Sequence, residues 1–273
     1  ETAKASNEHK TTEPCVDWGY REGDPIFPLI CLVVSGAHSE LVLVREHGHY
    51  ELLGRTRDDA AGEAFDKVAR ILGLGYPGGP AIQKTAQHAE EELLQQNKPA
   101  AMARTAYRLP RAWLRGTYDF SFSGLKTAML HLAEGVTEAA QPTRTTGEGR
   151  QVSQYTRMGA QAAQKGTPKV SWLAASFQEA IVDVLAVKTR LAAQEYHVRQ
   201  VVLAGGVAAN ANLRARLEQE LSALRIRLSC PPIEFCTDNA AMIASAAFFH
   251  LCRGEKHGLD LDVQPGLSLP FKK

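Results

Sequence analysis

The strongest constraint on the fold is a junction at residues 202–214, where an apolar strand stops at a pair of glycines and a helical pattern begins. The stretch reads VLAGGVAANANLR. Glycine has no Cβ, so the backbone there can come close to a ligand, and a helix start offers free N–H groups. A second helix opening follows in CTDNAAMIA, residues 236–244, with Asp238 near its start. Two such junctions in one domain favour a nucleotide-handling site over a plain scaffold.

The rest of the chain predicts a mixed sheet covered by helices. Three short apolar runs separated by turns indicate an antiparallel meander, and helices then alternate with strands, as in layered α/β folds. This is the topology of one ribonuclease H-like lobe, as found in pairs in actin, Hsp70 and sugar kinases. Strands are predicted at 29–34, 41–44, 50–53, 200–204 and 226–229, and helices at about 58–72, 80–95, 171–194, 212–224 and from 237.

We expect this lobe to fill residues 27–254, after an irregular segment at 1–26 and before a tail at 255–273. Within it, a helical insertion is predicted at about 80–170. Its part from 134 to 170 is rich in Gln, Thr, Gly and Arg and poor in apolar residues, which indicates a flexible stretch. The helix that follows it is predicted to be amphipathic, with one apolar stripe.

Composition narrows the class of protein. The 31 Lys and Arg residues balance 30 Asp and Glu residues, so net charge gives no sign of nucleic-acid binding. The five cysteines form no C-x-x-C pair, which fits reduced thiols in a cytoplasmic protein. No apolar run is long enough to cross a bilayer, so we expect no membrane association.

Six motifs together resemble the tRNA N6-adenosine threonylcarbamoyltransferase family (TsaD, formerly called O-sialoglycoprotein endopeptidase). They occur in the family's order over most of residues 27–250, and they read VVSGAHSELV, DDAAGEAFDKVARILGLGYPGGPAI, FSFSGLKT, ASFQEAIVDVL, AGGVAANANLR and CTDNAAMIA. The resemblance implies transfer of the threonylcarbamoyl group from threonylcarbamoyl-AMP to N6 of adenine 37, in tRNAs that read ANN codons. It also implies one iron or zinc ion per subunit. The partners implied are tRNA, a paralogous actin-like subunit and a small ATPase.

The resemblance also implies substrate-binding residues, each of which has a plainer explanation. The first substrate loop is alternatively a hairpin turn. The aspartate in FDK, Asp66, could alternatively form an i,i+4 ion pair with Arg70, next to a second such pair between Glu63 and Lys67. The second glycine of PGGP is alternatively required only by a turn. For the asparagine of VAAN the alternative is a helix N-cap, which either Asn210 or Asn212 could form. The implied residues are Val33, Val34, Ser35, Gly36, Ala37, Asp66, Gly79 and Asn210.

Asp238 matches the family's third metal ligand, and the alternative is again a helix N-cap. Family members carry an earlier strand–loop and a His-x-x-x-His pair that supplies the other two ligands; this sequence has neither. We therefore expect a fragment that starts just after that pair, lacks most of the first lobe, holds no metal tightly and is inactive alone. The sequence also has Ala37 where the family has glycine, which would cost about 1 kcal/mol if φ is positive there.

An arginine-rich run is the candidate tRNA contact, because basic side chains neutralise phosphates and aromatic rings stack on unpaired bases. The alternative is a solvated helix face with packed arginine stems. Its members are Arg104, Arg108, Arg111 and Arg115, with Tyr107 and Trp113 between them. Phe122, Ser123 and Lys126 receive no definite role, and no side chain stands out as a general base.

Two rival functions remain open at this point. An actin-like ATPase or sugar kinase would share the lobe, and a non-catalytic partner subunit would keep the fold without the chemistry. The metalloprotease function that the older family name suggests is rejected, because no H-E-x-x-H motif occurs.

Overall fold

A single five-stranded mixed sheet forms the centre of the computed structural model, which describes residues 24–139 and 169–263. The strand order is β3-β2-β1-β4-β5, with β1–β2 and β2–β3 antiparallel and β1–β4 and β4–β5 parallel. The predicted meander and the two later parallel strands are thus confirmed. The strands are β1 Leu29–Val34, β2 Ser39–Glu46, β3 His49–Arg55, β4 Gln200–Ala204 and β5 Arg227–Ser229.

Seven described helices accompany the sheet, and five of them fall where the sequence pattern predicts a helix. They are α1 Ala61–Ile71, α2 Gly78–Gln95, α3 Ala101–Arg104, α4 Ser123–Ala139, α5 Val170–Glu195, α6 Ala211–Ser222 and α7 Ala240–Cys252. Short 3₁₀ turns occupy Gly206–Ala209 and Ile233–Phe235. The α/β ribonuclease H-like lobe is the observed fold class.

Helix α5 is the core of the molecule. The predicted stripe residues Leu173, Phe177 and Ile181 are buried, and Phe177 meets Phe65 of α1 edge-on at 5.4 Å. Side chains on its other faces are buried too, because α2, α3 and α6 all pack against it. The expectation of a one-sided amphipathic helix is therefore wrong. Among the described residues α5 is also the one helix long and apolar enough to cross a membrane, but it lies mostly inside the fold.

Part of the predicted insertion is helical. Helix α4 continues to Ala139, so it includes residues 134–139 at the beginning of the stretch predicted to be flexible. Leu125 and Met129 are buried, and they hold the beginning of this helix on the core. Residues 140–168 of the predicted flexible stretch lie outside the described residues, as do 1–23 and 264–273. The domain limits given above stay predictions.

Candidate functional site

The carboxyl ends of β1 and β4 lie side by side, with Val33 opposite Ala204. The chain leaves β1 into a turn at 35–38 and leaves β4 at Gly205, whose φ is 90°. A Cβ at Gly205 would lie 2.4 Å from the carbonyl oxygen of Val34, so only glycine allows this approach. Two of the predicted substrate loops therefore meet at one edge of the sheet.

The turn at 35–38 is closed by its own serine. The Ser35 N–H donates to the His38 carbonyl at 2.8 Å, and the Ser35 hydroxyl accepts from the amides of Ala37 at 3.3 Å and His38 at 3.0 Å. Gly36 and Ala37 are exposed. An anion that bound the amides of Ala37 and His38 would have to displace the hydroxyl of Ser35.

Ala37 carries no left-handed backbone strain. The described non-glycine residues with positive φ are Asn97, Leu114, His197 and Arg225. The predicted penalty for alanine in place of glycine therefore does not arise, because the position does not require positive φ.

The start of α1 packs against this turn and donates a hydrogen bond to it. The Gly62 N–H donates to the Ser35 carbonyl at 3.1 Å, and a Cβ at Gly62 would lie 2.6 Å from that oxygen. The buried hydroxyl of Ser39 accepts from the Ala61 N–H at 2.9 Å and so satisfies one free donor of the helix. Turn and helix start are thus fixed together by backbone contacts.

Asp66 holds the beginning of α2 rather than a neighbouring arginine. Its Oδ1 accepts from the Gly78 N–H at 2.7 Å, and no Asp66–Arg70 ion pair forms in the described part of the chain. That alternative is wrong. The Glu63–Lys67 pair is confirmed at 2.7 Å, and Lys67 also contacts Asp59 at 2.8 Å. A ribose-binding role for Asp66 stays a prediction.

Gly79 lies in the first turn of α2 with open space beside it, because a Cβ there would meet nothing within 4 Å. It therefore belongs to a helix, whereas the sequence suggested a turn before one. From the same helix, Gln83 accepts from the Ala211 N–H at 2.9 Å. The starts of α2 and α6 are thus adjacent, and the three predicted segments 33–37, 79 and 205–210 share one edge of the molecule.

Asn210 is the N-cap of α6, as the plainer explanation predicted. Its Oδ1 accepts from the Leu213 N–H at 2.9 Å, and its Nδ2 donates to Gln178 of α5 at 2.8 Å. The side chain is only 7 % exposed. The cap does not test adenylate binding, which stays a prediction.

Asp238 is exposed and is not a helix cap. The N-cap of α7 is Asn239, whose Oδ1 accepts from the Met242 N–H at 3.0 Å. The N-cap explanation for Asp238 is therefore wrong, and the cause is a boundary one residue later than the sequence suggested.

Arg214 connects the segment before Asp238 to the glycine turn, a role that the sequence did not reveal. Its Nε donates to the Ala208 carbonyl at 2.5 Å, and its Nη2 lies 2.7 Å from the Pro231 carbonyl and 3.2 Å from Cys236 Sγ. The one available signal was its position at the end of the AGGVAANANLR motif. Asp238 follows Cys236 by two residues, so the chain just before Asp238 is held to the glycine turn through Arg214.

The described residues do not complete a metal site. Across 24–139 and 169–263, no group of three or more His, Cys, Asp and Glu side chains could hold a metal ion. One carboxylate is too few ligands for iron or zinc. We therefore derive no chemical step through a metal from this structure.

The histidines of the β2–β3 turn are partly packed. His47 stacks on Phe249 of α7 at 3.5 Å between ring centroids and meets Phe27 edge-on at 4.9 Å. Burial, followed by the nearby Arg253 charge, lowers the pKa of His47. This contact joins the end of α7 to the sheet.

The FSFSGLKT segment is fixed by Asp58, which sequence reasoning also missed. Its carboxylate accepts from the Ser121 hydroxyl at 2.5 Å, the Phe122 amide at 2.8 Å and the Ser123 hydroxyl at 2.8 Å. Burial opposes ionisation of Asp58, but these hydrogen bonds together lower its pKa. Phe122 is buried, so this motif residue packs in the core.

The arginine-rich run is not one helix face, because α3 ends at Arg104. Arg104 forms a two-pronged pair with Glu90 at 2.8 Å, and Arg111 contacts Asp183 at 2.7 Å. Arg108 and Arg115 are exposed, with no carboxylate partner in residues 24–139 and 169–263. The run thus separates into two paired and two available cations.

Comparison with known proteins settles the family. The family model for tRNA N6-adenosine threonylcarbamoyltransferase matches residues 17–245. This chain belongs to that family. Relatives named tRNA N6-adenosine threonylcarbamoyltransferase include those of Thermomicrobium roseum, 52 % identical over 247 residues, and Bacillus subtilis, 44 % identical over 248 residues. A third, from Dehalococcoides mccartyi, is 49 % identical over 245 residues.

The matches to these threonylcarbamoyltransferases cover unequal shares of the two proteins. Each covers 90 % of this chain, but 61 % of the first and third relatives and 60 % of the Bacillus subtilis protein. The chain thus spans about three fifths of the relatives' length.

Proposed function

We propose that the full-length protein transfers the threonylcarbamoyl group of threonylcarbamoyl-AMP to N6 of adenine 37, in tRNAs that read ANN codons. The observation that carries this proposal is the match to the transferase family over residues 17–245, which includes the loops that meet at the β1/β4 edge. In the transfer, the adenine nitrogen forms a bond to the carbamoyl carbon, the bond from that carbon to the phosphate oxygen breaks, and AMP leaves with the electron pair. The N6 proton passes to an acceptor that these residues do not identify.

The site edge provides what an adenylate requires. Gly79 leaves room for a sugar or base beside α2. The starts of α1, α2 and α6 lie at the same edge, with their first amides donating to Ser39, Asp66 and Gln83. Helix starts favour anionic groups because their amides and dipoles present partial positive charge. We assign the adenylate to Val33, Val34, Ser35, Gly36 and Ala37 together with Asp66, Gly79 and Asn210.

We propose Asp238 as one ligand of the iron or zinc ion, with the remaining ligands outside the described residues. Such an ion would supply Lewis-acid chemistry for polarising the carbamoyl group. The proposed partners are tRNA, a paralogous actin-like subunit and a small ATPase, and the proposed compartment is the cytoplasm.

The test is a transfer assay on the full-length protein with its helper proteins, using threonylcarbamoyl-AMP labelled in the threonine. Label should appear in tRNA, and Asp238→Ala should abolish both the label and the retained metal. Asp260→Ala, an exposed carboxylate in the segment after α7, is the matched control and should retain both. ATP hydrolysis without any label in tRNA would instead favour the rival ATPase or kinase function. Wild-type metal content in Asp238→Ala would remove Asp238 from the ligand set.

A further inference from the structure

A groove runs along the carboxyl-terminal half of α5, away from the site edge. The first part has a volume of about 420 Å³ and is lined by Trp113, Arg115, Val187 and Lys188. The second has about 630 Å³ and ends at Glu195. The two parts share lining residues at 116–118 and Leu191, so they form one continuous depression.

The wall of this groove is fixed to α5 along its length. Tyr107 N–H donates to the Ser176 hydroxyl at 3.1 Å, and the buried Lys188 ammonium donates to the Thr117 carbonyl at 2.7 Å. Tyr118 donates to Glu195. The segment 107–118 therefore runs beside α5 from Ser176 to Glu195, and these contacts fix the positions along α5 from which its exposed side chains project.

Three exposed side chains of segment 107–118 have the chemistry needed to bind a nucleic acid. Arg108 and Arg115 are exposed without a carboxylate partner in the described part of the chain, and Trp113 is 38 % exposed. Unpaired guanidinium groups neutralise phosphates, and an exposed indole stacks on unpaired bases of any sequence. The nearest groove carboxylate, Glu195, already accepts from Tyr118.

The groove is also close enough to the edge formed by 33–37, 79 and 205–210 for one RNA strand to reach both. Gln178 contacts Asn210 at that edge, and Lys188 lies ten residues further along α5, or about 15 Å at 1.5 Å per residue. A stacked strand advances about 3.4 Å per nucleotide. The groove thus lies within about four nucleotides of a base presented to the site edge.

We propose that this groove binds the RNA strand that flanks the target adenine, with Trp113 as stacking platform and Arg115 as phosphate contact. Arg108, which lies on the same segment outside the groove lining, contacts the neighbouring phosphates. The proposal rests on the proposed function for the identity of the RNA. It excludes Arg104 and Arg111 from the contact, because both are engaged by carboxylates.

The test measures equilibrium binding of an anticodon stem-loop RNA from an ANN-decoding tRNA to the full-length protein at several salt concentrations. Arg108→Glu and Arg115→Glu should each weaken binding about tenfold and reduce the slope of log K against log[salt] by about 1. Trp113→Ala should weaken binding about tenfold with little change in slope, and Trp113→Phe should restore most of it. Arg225→Glu, an exposed arginine in the turn between α6 and β5, is the charge-matched control and should bind as wild type.

Unchanged RNA affinity in both arginine variants would overturn the proposal and would leave the groove to a protein partner. An equal loss in Arg225→Glu would also overturn it, because the effect would then follow overall charge. Both arginines are exposed, so the arginine variants remain informative if Trp113→Ala fails to fold. Since binding is measured without turnover, absence of transfer by the wild type would count against the proposed function and not against the groove.

Discussion

The β1/β4 edge and helix α7 differ in what holds them in place. At the edge, backbone meets backbone: Gly205 approaches Val34, and Gly62 approaches Ser35, at distances that leave no room for a Cβ. Helix α7 instead exposes Met242, Ile243, Phe248 and Leu251 and is joined to the lobe near its two ends. The segments assigned to the proposed adenylate edge are therefore held by close backbone contacts within the described lobe, whereas the segment carrying Asp238 has few contacts with it.

Within the two compared regions, the largest expected effect is at Gly205. Gly205→Ala should destabilise the protein by about 3 kcal/mol, because the new methyl group meets the Val34 carbonyl and φ is positive. The control is Gly36→Ala, where a Cβ meets nothing within 4 Å, and its effect should stay below about 1 kcal/mol. Urea unfolding measures both, and equal losses would show that the edge is not packed as described.

Substituting the asparagine N-caps of α6 and α7 compares the stability of the two regions directly. Asn210→Ala should cost about 2 kcal/mol, because it removes the cap of α6 and leaves the buried amide of Gln178 without its partner. Asn239→Ala removes only the cap of α7 and should cost about 1 kcal/mol or less. The ranking from thermal unfolding decides the point, and a larger loss at Asn239 would contradict the comparison.

A smaller effect is expected from the Asp58 contacts, and it depends on pH. The folded-state pKa of Asp58 is lowered, so its stabilisation is present above the ordinary aspartate value of 3.8 and is lost as pH falls through the folded value. Asp58→Asn should therefore be less stable than wild type at neutral pH, and the gap should narrow toward pH 2. The stability of both proteins across this range is the measurement, and a gap that widens on acidification would refute the assignment.

The smallest effect is expected on the exposed face of α7. Ile243 is 63 % exposed, so Ile243→Gln should change the stability of this chain by no more than about 0.5 kcal/mol. Phe177→Ala in the core should cost about 3 to 5 kcal/mol in the same unfolding experiment. A large loss at Ile243 would mean that α7 is packed more tightly than its exposure indicates.

The local sequence pattern predicts most helices and strands. It does not predict contacts between residues that are distant along the chain. Strand β4 falls where its apolar run predicts, and Gly73 ends α1 with a φ of 70°. The pairing of Arg104 and Arg111 depends on carboxylates of α2 and α5, which spacing along the chain does not reveal.

The same limit applies to the site. Asn210 was identified by its motif, and its cap was predicted from residue type alone. The inward turn of the Ser35 hydroxyl and the triple contact of Arg214 were not predictable, because each depends on where another loop lies in space. The cap of α7 was assigned one residue early because Asp238 and Asn239 are equally good capping residues.

Hydrogen exchange of the full-length protein, with and without threonylcarbamoyl-AMP, tests the shared site edge most directly. When threonylcarbamoyl-AMP binds, the amides in 35–38, 78–83 and 205–211 should become protected together, with little change in the β2–β3 turn. Protection confined to one of these segments, or absent from all three, would contradict the shared site edge.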